Sequence, residues 1–387
     1  MEPIQIHFPK NLVFGDHCYD DFIHSFAGSS MNGICIIADP NVMKPVSELI
    51  GLLDKQGIRS LVYSDIANEP TIQDFNKILN QSEAHQIEAV IGIGGGSILD
   101  VAKLLAAQYR SEQNVTDVIG QGKLHGRDLF LACIPTTAGT GSEMSPNAIL
   151  LDESDYQKKG IISPFLVPDS ACIDPVLTYT VPPYITASTG IDAFTHCLEA
   201  YANRHANPVT DLYALEGIKR IYRSLETTCK DGSNKEARSD VALGSMYGGM
   251  CLGPVNTAAV HALAYPLGGE YHIPHGISNA LLLPHVLRAN LNDGIERYAK
   301  IAEATGISGI SDRKELAQTG IEHIADLCKR IGIPEYLDDF HIPVEDVPKM
   351  AESAMKVQRL LKNNLHELTV SEVEDIYYKL FRKRSHA

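Results

Sequence analysis

Ala89–Tyr109 reads AVIGIGGGSILDVAKLLAAQY. The first five residues are apolar and stop at glycine, which predicts a short buried strand ending at Ile93. From Ser97 apolar residues recur at helical spacing, so a helix is expected over Ser97–Tyr109. Gly94, Gly95 and Gly96 join the two, and without Cβ atoms they let the backbone approach a bulky anion. Ser97 reads as an N-cap, with Asp100 as the acidic partner of a capping box. The free N–H groups at such a helix start suit a pyrophosphate. The run is not G-x-G-x-x-G, because Ser97 stands where the third glycine belongs. No Gly-Lys-[Ser/Thr] follows, so it is not a P-loop either. By itself it fits a phosphate cradle or a purely structural turn.

Working outward, Ile34–Ala38, Leu61–Tyr63, Leu129–Ile134 and Ala171–Ile173 also read as short buried strands. Amphipathic stretches such as Pro45–Gln56 and Ile72–Ala84 lie between them. This alternation implies βαβ units, a mostly parallel sheet and helices on both faces. Ligands of such sheets bind beyond the carboxyl ends of the strands. A second polar loop, Pro135-Thr136-Thr137-Ala138-Gly139-Thr140-Gly141-Ser142-Glu143, follows the strand Leu129–Ile134. It reads as a cofactor-lining turn or as a hydroxyl-rich turn bonded to its own backbone.

After Pro182-Pro183 helical patterns take over: Tyr184–Asn203, Pro208–Glu226, Lys235–Leu252, Thr257–Leu263, Asn279–Leu291, Gly294–Thr305, Arg313–Ile331 and Val344–Lys356. The expected architecture is α/β followed by all-α. Residues 1–183 are expected to form an α/β domain, and residues 184–387 an all-helical one. A ligand cleft is expected between them.

Composition limits the partners. The chain has 387 residues, 44% hydrophobic and 21% charged, with a net charge of −15. Two folded domains fit that length. The acidic balance argues against nucleic acid and against anionic membrane surfaces. No apolar stretch reaches the roughly 18 residues of a membrane span. MEPIQIHFPK lacks the character of a secretory signal, so a soluble cytoplasmic protein is expected. Eight cysteines form no CxxC and no disulfide framework, and read as reduced thiols among apolar neighbours. The basic end FRKRSHA reads as a solvated terminus.

Asp192 and His196 are four apart in TGIDAFTHCLEAY, so a helix projects them from one face. His261 and His275 follow in AAVHALAYP and YHIPHGISNA. Pro266, Gly268, Gly269 and Pro274 interrupt the segment between them, which places the two on different elements. One aspartate and three histidines suit a divalent metal with an open position. Taken singly, a histidine on an apolar helix is more often a core residue with a satisfied hydrogen bond than a ligand, and it is the DxxxH pair that weighs against that reading.

GGGSILDVAK, PTTAGTGSE, GIDAFTHCLEAY and HALAYPLGGEYHIPHGISNALLLPHV stand here in the order found in the iron-dependent (group III) alcohol dehydrogenase family. The resemblance spans about residue 5 to at least residue 300. It implies a dehydroquinate synthase-like architecture: a Rossmann-like dinucleotide-binding domain over residues 1–183 and an all-helical metal-binding domain over residues 184–387, with the active site in the cleft. It implies that Asp192, His196, His261 and His275 bind Fe²⁺, or Zn²⁺ in some members. Gly95, Gly96, Ser97 and Asp100 match the family's pyrophosphate loop. Thr136, Thr137, Thr140 and Ser145 match the loop lining the cofactor, and Lys158 matches a cofactor-contacting lysine. Asp39 stands where members meet the adenosine ribose, which implies NAD(H) over NADP(H). Asn147 and Leu252 fall near the substrate pocket. The implied reaction is hydride transfer between NAD(H) and a small alcohol or aldehyde, with the metal as Lewis acid.

The pattern departs in one place. Many members carry a proton-relaying histidine four residues after the third ligand, where this chain has Tyr265. Tyr265 relaying through water, His272, or another exit for the proton are the alternatives; Tyr265 also reads as a packed pocket wall. Competing readings are a zinc-dependent relative of the glycerol dehydrogenase and dehydroquinate synthase type, a metal hydrolase, and a non-catalytic nucleotide-binding protein. The first usually has lysine at the position of Ser97. The second leaves both loops without a job, and four intact ligands oppose the third. The resemblance also suggests a homodimer, with the β-like run Ile4–Phe8 pairing across a two-fold axis.

Overall fold

Ile34, Cys35, Ile36 and Ile37 are all fully buried, as a central strand of a parallel sheet covered on both faces requires. The computed structural model describes residues 3–28, 30–66, 69–154 and 157–382. Two units meet in sequence between Thr180 and Val181. Residues 383–387 of the basic C-terminal run lie outside the described residues.

The first unit runs β1 (Asn11–Phe14), α1 (Cys18–Ala27), β2 (Gly33–Ala38), α2 (Met43–Lys55), β3 (Arg59–Tyr63) and α3 (Ile72–Glu83). It continues through β4 (Ala89–Gly94), α4 (Gly96–Gln108), β5 (Gly120–Gln121), β6 (Phe130–Pro135), β7 (Asn147–Asp152), β8 (Gln157–Ile162) and β9 (Ser170–Ile173). Six strands form a parallel sheet in the order β1-β9-β6-β4-β2-β3. The pleat sends alternate residues of β2 to opposite faces. Cys35 and Ile37 pack with α4 residues such as Leu104 and Leu105. Ile34 and Ile36 pack with Phe22, Ile23 and Leu49 of α1 and α2.

One expectation is corrected here, and two strand features lie outside the sequence reading. Ile4–Phe8 forms no strand within the chain; the N-terminal strand is Asn11–Phe14, paired with β9. Pro9 closes the earlier run and has no N–H to give a ladder. The hairpin of β7 and β8 escapes the sequence reading, because QKKGII lacks strand alternation. Ser97 is not the cap of α4: the helix opens at Gly96 with Gly95 as its N-cap, so no capping box forms.

Asp100 does other work. Its carboxylate accepts from Ser142 Oγ at 2.5 Å and from the Ile149 N–H at 3.0 Å. Lys103, fully buried one turn on, donates to the Ser142 carbonyl at 2.9 Å, to its hydroxyl at 3.0 Å and to the Asn147 carbonyl. The pair ties α4 to the loop after β6 and to β7. Burial raises the Asp100 carboxyl and lowers the Lys103 ammonium, and each charge partly restores the other.

The second unit contains α5 (Pro183–Tyr201), α6 (Pro208–Lys230), α7 (Lys235–Leu252), α8 (Ala259–Gly269), α9 (His275–Asn290) and α10 (Ile295–Ala304). It ends with α11 (Arg313–Arg330), α12 (Val347–Met355), α13 (Gln358–Leu361) and α14 (Val370–Tyr378). No strand of the main sheets lies among its described residues. Pro266 does not stop α8, which continues to Gly269; the break between the two histidine-bearing helices falls at residues 270–274. The last two helices lie beyond the expected set. No helix among the described residues is long and apolar enough to cross a membrane.

Glu143, at the end of the loop after β6, is buried, and burial raises its carboxyl to about 7 from an ordinary 4.5. The folded chain therefore keeps a proton that the unfolded chain releases between those values, and stability falls as pH rises through that window. Glutamine cannot ionise there. Glu143→Gln should raise the melting temperature more at about pH 8 than at about pH 5 by calorimetry. A difference independent of pH would contradict this account.

Candidate active site

The two polar loops of the first unit lie side by side because β4 and β6 are parallel neighbours, with Gly94 opposite Pro135. Residue 96 must be glycine: a Cβ there would stand 2.4 Å from Thr140 Cγ2 and 2.6 Å from its hydroxyl. Gly95, Gly96, Ser97, Thr137 and Thr140 are partly exposed on this edge, whereas Thr136 and Ser145 are buried. The helix start offers N–H groups, and the second loop offers hydroxyls. Asp39 ends β2 beside them, its N–H bonded to the Ile93 carbonyl at 3.0 Å. One Asp39 oxygen accepts from the Asn41 N–H at 2.8 Å and from its amide at 2.9 Å. Lys158 sits on β8, paired with Glu69 at 2.5 Å. Asn147 opens β7, where its carbonyl takes the Lys103 bond.

In the second unit a different chemistry converges. Asp192 and His196 project from one face of α5, and His261 and His275 arrive on α8 and α9. Asp192 Oδ1 lies 3.5 Å from His261 Nε2, 3.6 Å from His275 Nε2 and 3.8 Å from His196 Nε2. The donors of Asp192, His261 and His275 all fall within 4.8 Å of one another. His196 stands beside them, its ring stacked on His261 at 4.8 Å between centroids. Gly276 makes the approach possible, since a Cβ there would collide with the Ser188 carbonyl oxygen of α5 at 1.9 Å. His275, with 31% of its side chain exposed, is the open side of an otherwise buried cluster.

These residues fit a divalent cation. Donors about 2.0–2.2 Å from a tetrahedral ion stand roughly 3.3–3.6 Å apart, close to the spacings around Asp192. The Asn279 amide nitrogen points among the same acceptors, 2.7 Å from Asp192 Oδ1, 3.2 Å from His261 Nε2 and 3.4 Å from His275 Nε2. Its own Oδ1 is buried with no hydrogen-bond partner. The cluster also favours positive charge. Burial alone would raise the Asp192 carboxyl, but the surrounding imidazoles hold it well below the usual carboxylate range. Burial alone would lower His261, but bonds to Asp192 and Glu199 raise it to about 9.

Glu199, absent from the sequence candidates, organises this centre. One oxygen meets His261 Nδ1 at 2.6 Å and the Ala258 N–H at 3.0 Å; the other accepts from the Val260 N–H at 2.6 Å. It thus caps α8, whose own Ala258 offers no capping side chain. It also holds the imidazole proton on Nδ1, leaving Nε2 to face Asp192. The signal was legible: Glu199 lies seven residues after Asp192 and three after His196, on the same helical stripe. Asn279, four after His275, follows the same rule. Leu252 is buried at the end of α7, and His272 is exposed in a left-handed conformation after α8. Tyr265 is half-buried, one turn after His261, and accepts a hydrogen bond from Arg359 at 3.2 Å.

In Glu199→Gln the carboxamide can donate to Nδ1, which drives the imidazole proton to Nε2 and spoils that nitrogen as a donor to metal. Affinity of the metal-free protein for Zn²⁺, measured by calorimetry, should fall about 10–100-fold. Nitrogen NMR should show the proton moved between the ring nitrogens of His261. Unchanged affinity and an unchanged tautomer would leave Glu199 as a helix cap alone.

Residues 9–175 match the family model described as iron-containing alcohol dehydrogenase, and residues 186–381 match the C-terminal model of the same family. Long-chain-alcohol dehydrogenase 1 of Geobacillus thermodenitrificans is 35% identical over 387 residues, covering 98% of each chain. The 1,3-propanediol dehydrogenase of Klebsiella pneumoniae is 36% identical over 313 residues, 80% of this chain and 81% of that one. A solved structure of 1,3-propanediol oxidoreductase superposes with a TM-score of 0.93 at 31% identity, covering 98% of this chain and 100% of that one. With both halves matched and relatives aligned along nearly the whole length, the chain belongs to the iron-containing alcohol dehydrogenase family.

Proposed function

We propose that this oxidoreductase reduces a small aldehyde, or oxidises the corresponding alcohol, with NAD(H) and a divalent ion held by Asp192, His196, His261 and His275. The observation that carries the reading is the convergence of three imidazole nitrogens on one buried carboxylate oxygen. An ion of Fe²⁺ or Zn²⁺ type would supply Lewis acidity toward the substrate oxygen. Glu199 keeps the His261 lone pair aimed inward. In the first unit, Gly95, Gly96 and Ser97 offer N–H groups to the pyrophosphate, and Thr136, Thr137, Thr140 and Ser145 form the neighbouring wall. Asp100 supports that wall from beneath. Asp39, with one oxygen occupied by its own turn, accepts from the ribose hydroxyls with the other and repels a 2′-phosphate. Lys158 is the remaining cofactor contact, and Asn147 and Leu252 belong to the substrate side.

For the alcohol proton, Tyr265 Oη is better placed than His272. It lies one turn from His261 on the same helix, whereas His272 is exposed beyond the helix end. The eight free cysteines suit a reducing, cytoplasmic compartment. β1 is an edge strand of the main sheet, which supports a homodimer built at the N-terminus; light scattering should return twice the chain mass.

Metal-free protein should consume NADH with small aldehydes only after Fe²⁺ or Zn²⁺ is restored, and should use NADPH poorly. His261→Ala should lose metal by elemental analysis, and lose more rate than the roughly 10–100-fold of an outer-sphere change. Full metal content and activity in that variant would refute the site.

A further inference from the structure

Arg359 lies on α13, and α13 packs against α8, the helix that carries His261 and Tyr265. One of its guanidinium nitrogens donates to the Tyr265 hydroxyl at 3.2 Å, and it makes no ion pair among the described residues. Eight other arginines do. Arg127, Arg220, Arg223, Arg288, Arg297, Arg313, Arg330 and Arg382 all meet carboxylates. Arg204 and Arg238 bond to backbone carbonyls, Arg110 lies over a tyrosine ring, and Arg59 is exposed to solvent, where Arg359 is half-buried. A half-buried guanidinium has five N–H donors, and here a single neutral phenol answers one of them. Leaving such a cation poorly partnered costs free energy that an anion would recover.

Its position says which anion. Helical side chains lean toward the helix N-terminus, so Tyr265 leans back over the turn that carries His261. The Arg359 head group goes with it. Two or three bonds from a reacting carbon to a charged group span about 2.5–4 Å, and a charge-assisted hydrogen bond adds about 2.8 Å, on the scale of the roughly 6 Å that four residues of helix rise. The chain as a whole carries −15, so an anionic substrate needs a local positive group to enter.

We propose that Arg359 determines specificity by binding an oxyanion on the substrate, so that the enzyme acts on small aldehydes bearing a terminal phosphonate, sulfonate or carboxylate. This rests on the hydride-transfer reading above. The reaction balances: the aldehyde carbon takes hydride from NADH, its oxygen takes a proton, NADH becomes NAD⁺, and the anionic group is unchanged.

The test compares phosphonoacetaldehyde with 3,3-dimethylbutanal, a neutral aldehyde of similar shape, using zinc-loaded protein. Sulfoacetaldehyde and succinic semialdehyde distinguish the oxyanion types. The ratio of kcat/KM, anionic over neutral, should exceed ten in the unmodified protein. It should collapse about 10–100-fold in Arg359→Leu, mostly through KM. Arg359→Lys, which keeps a charge on a similar stem, should retain part of it. A ratio near one, or a preference that survives in Arg359→Leu, overturns the assignment. Binding is read independently by calorimetry with 2-hydroxyethylphosphonate. Uptake by the unmodified protein and loss in Arg359→Leu supports the site, and no uptake overturns it. If neither aldehyde is turned over while this anion still binds through Arg359, the hydride-transfer reading fails and the anion site stands.

Discussion

A carboxylate buried as deeply as Asp192 stays ionised only if positive or hydrogen-bonding groups surround it, because moving a bare ion out of water costs several kcal/mol even after relaxation. The helical unit is arranged around that requirement. α5 supplies the carboxylate and His196, α8 brings His261, and α9 brings His275 and Asn279. Glu199 adds a second buried carboxylate that three groups on α8 answer. With neutral imidazoles, the cluster lacks two positive charges, which is what one divalent ion carries. Binding of the proposed ion would therefore share one energy balance with helix packing in this unit.

The α/β unit solves the opposite problem with opposite means. The pyrophosphate proposed for it is anionic, yet the edge formed by β4 and β6 presents N–H groups and hydroxyls in place of a row of cations. Its one deeply buried ammonium, Lys103, faces carbonyls and hydroxyls of the loop scaffold. Asp100 and Lys103 together hold the loop after β6 against α4, and the absent Cβ of Gly96 lets Thr140 close against the helix start. The glycines give closeness, and the buried pair gives rigidity.

Periodicity and strand punctuation made the architecture legible: all five expected strands of the parallel sheet are present, and Lys235–Leu252 is a helix over the expected residues. The DxxxH spacing made the centre legible as well, since Asp192 and His196 on one α5 stripe stand 3.8 Å apart beside His261 and His275. What the sequence hid is of two kinds. Local rules misled where tertiary contacts outweighed them: Asp100 looks like a capping partner but spends its oxygens on Ser142 and Ile149. Pro266 looks like a stop, yet α8 continues past it, packed against α9 and α12. Long-range pairings left no trace at all. Nothing in the spacing of Tyr265 and Arg359, 94 residues apart, announces their hydrogen bond.

That last contact lies outside the carboxylate–imidazole cluster. The cluster around Asp192 uses residues whose spacing on two helices constrains them, so any chain that keeps the chemistry must keep the spacing. Arg359 answers to no such constraint. It sits on a four-residue helix, touches Tyr265 only through its tip, and can change without disturbing the carboxylate–imidazole balance. Tyr265 itself stands where the family resemblance implies a histidine. A phenol hydroxyl can accept from a guanidinium without competing for its charge, whereas a protonated imidazole would repel it. Tyrosine at 265 and arginine at 359 are thus electrostatically compatible as a pair.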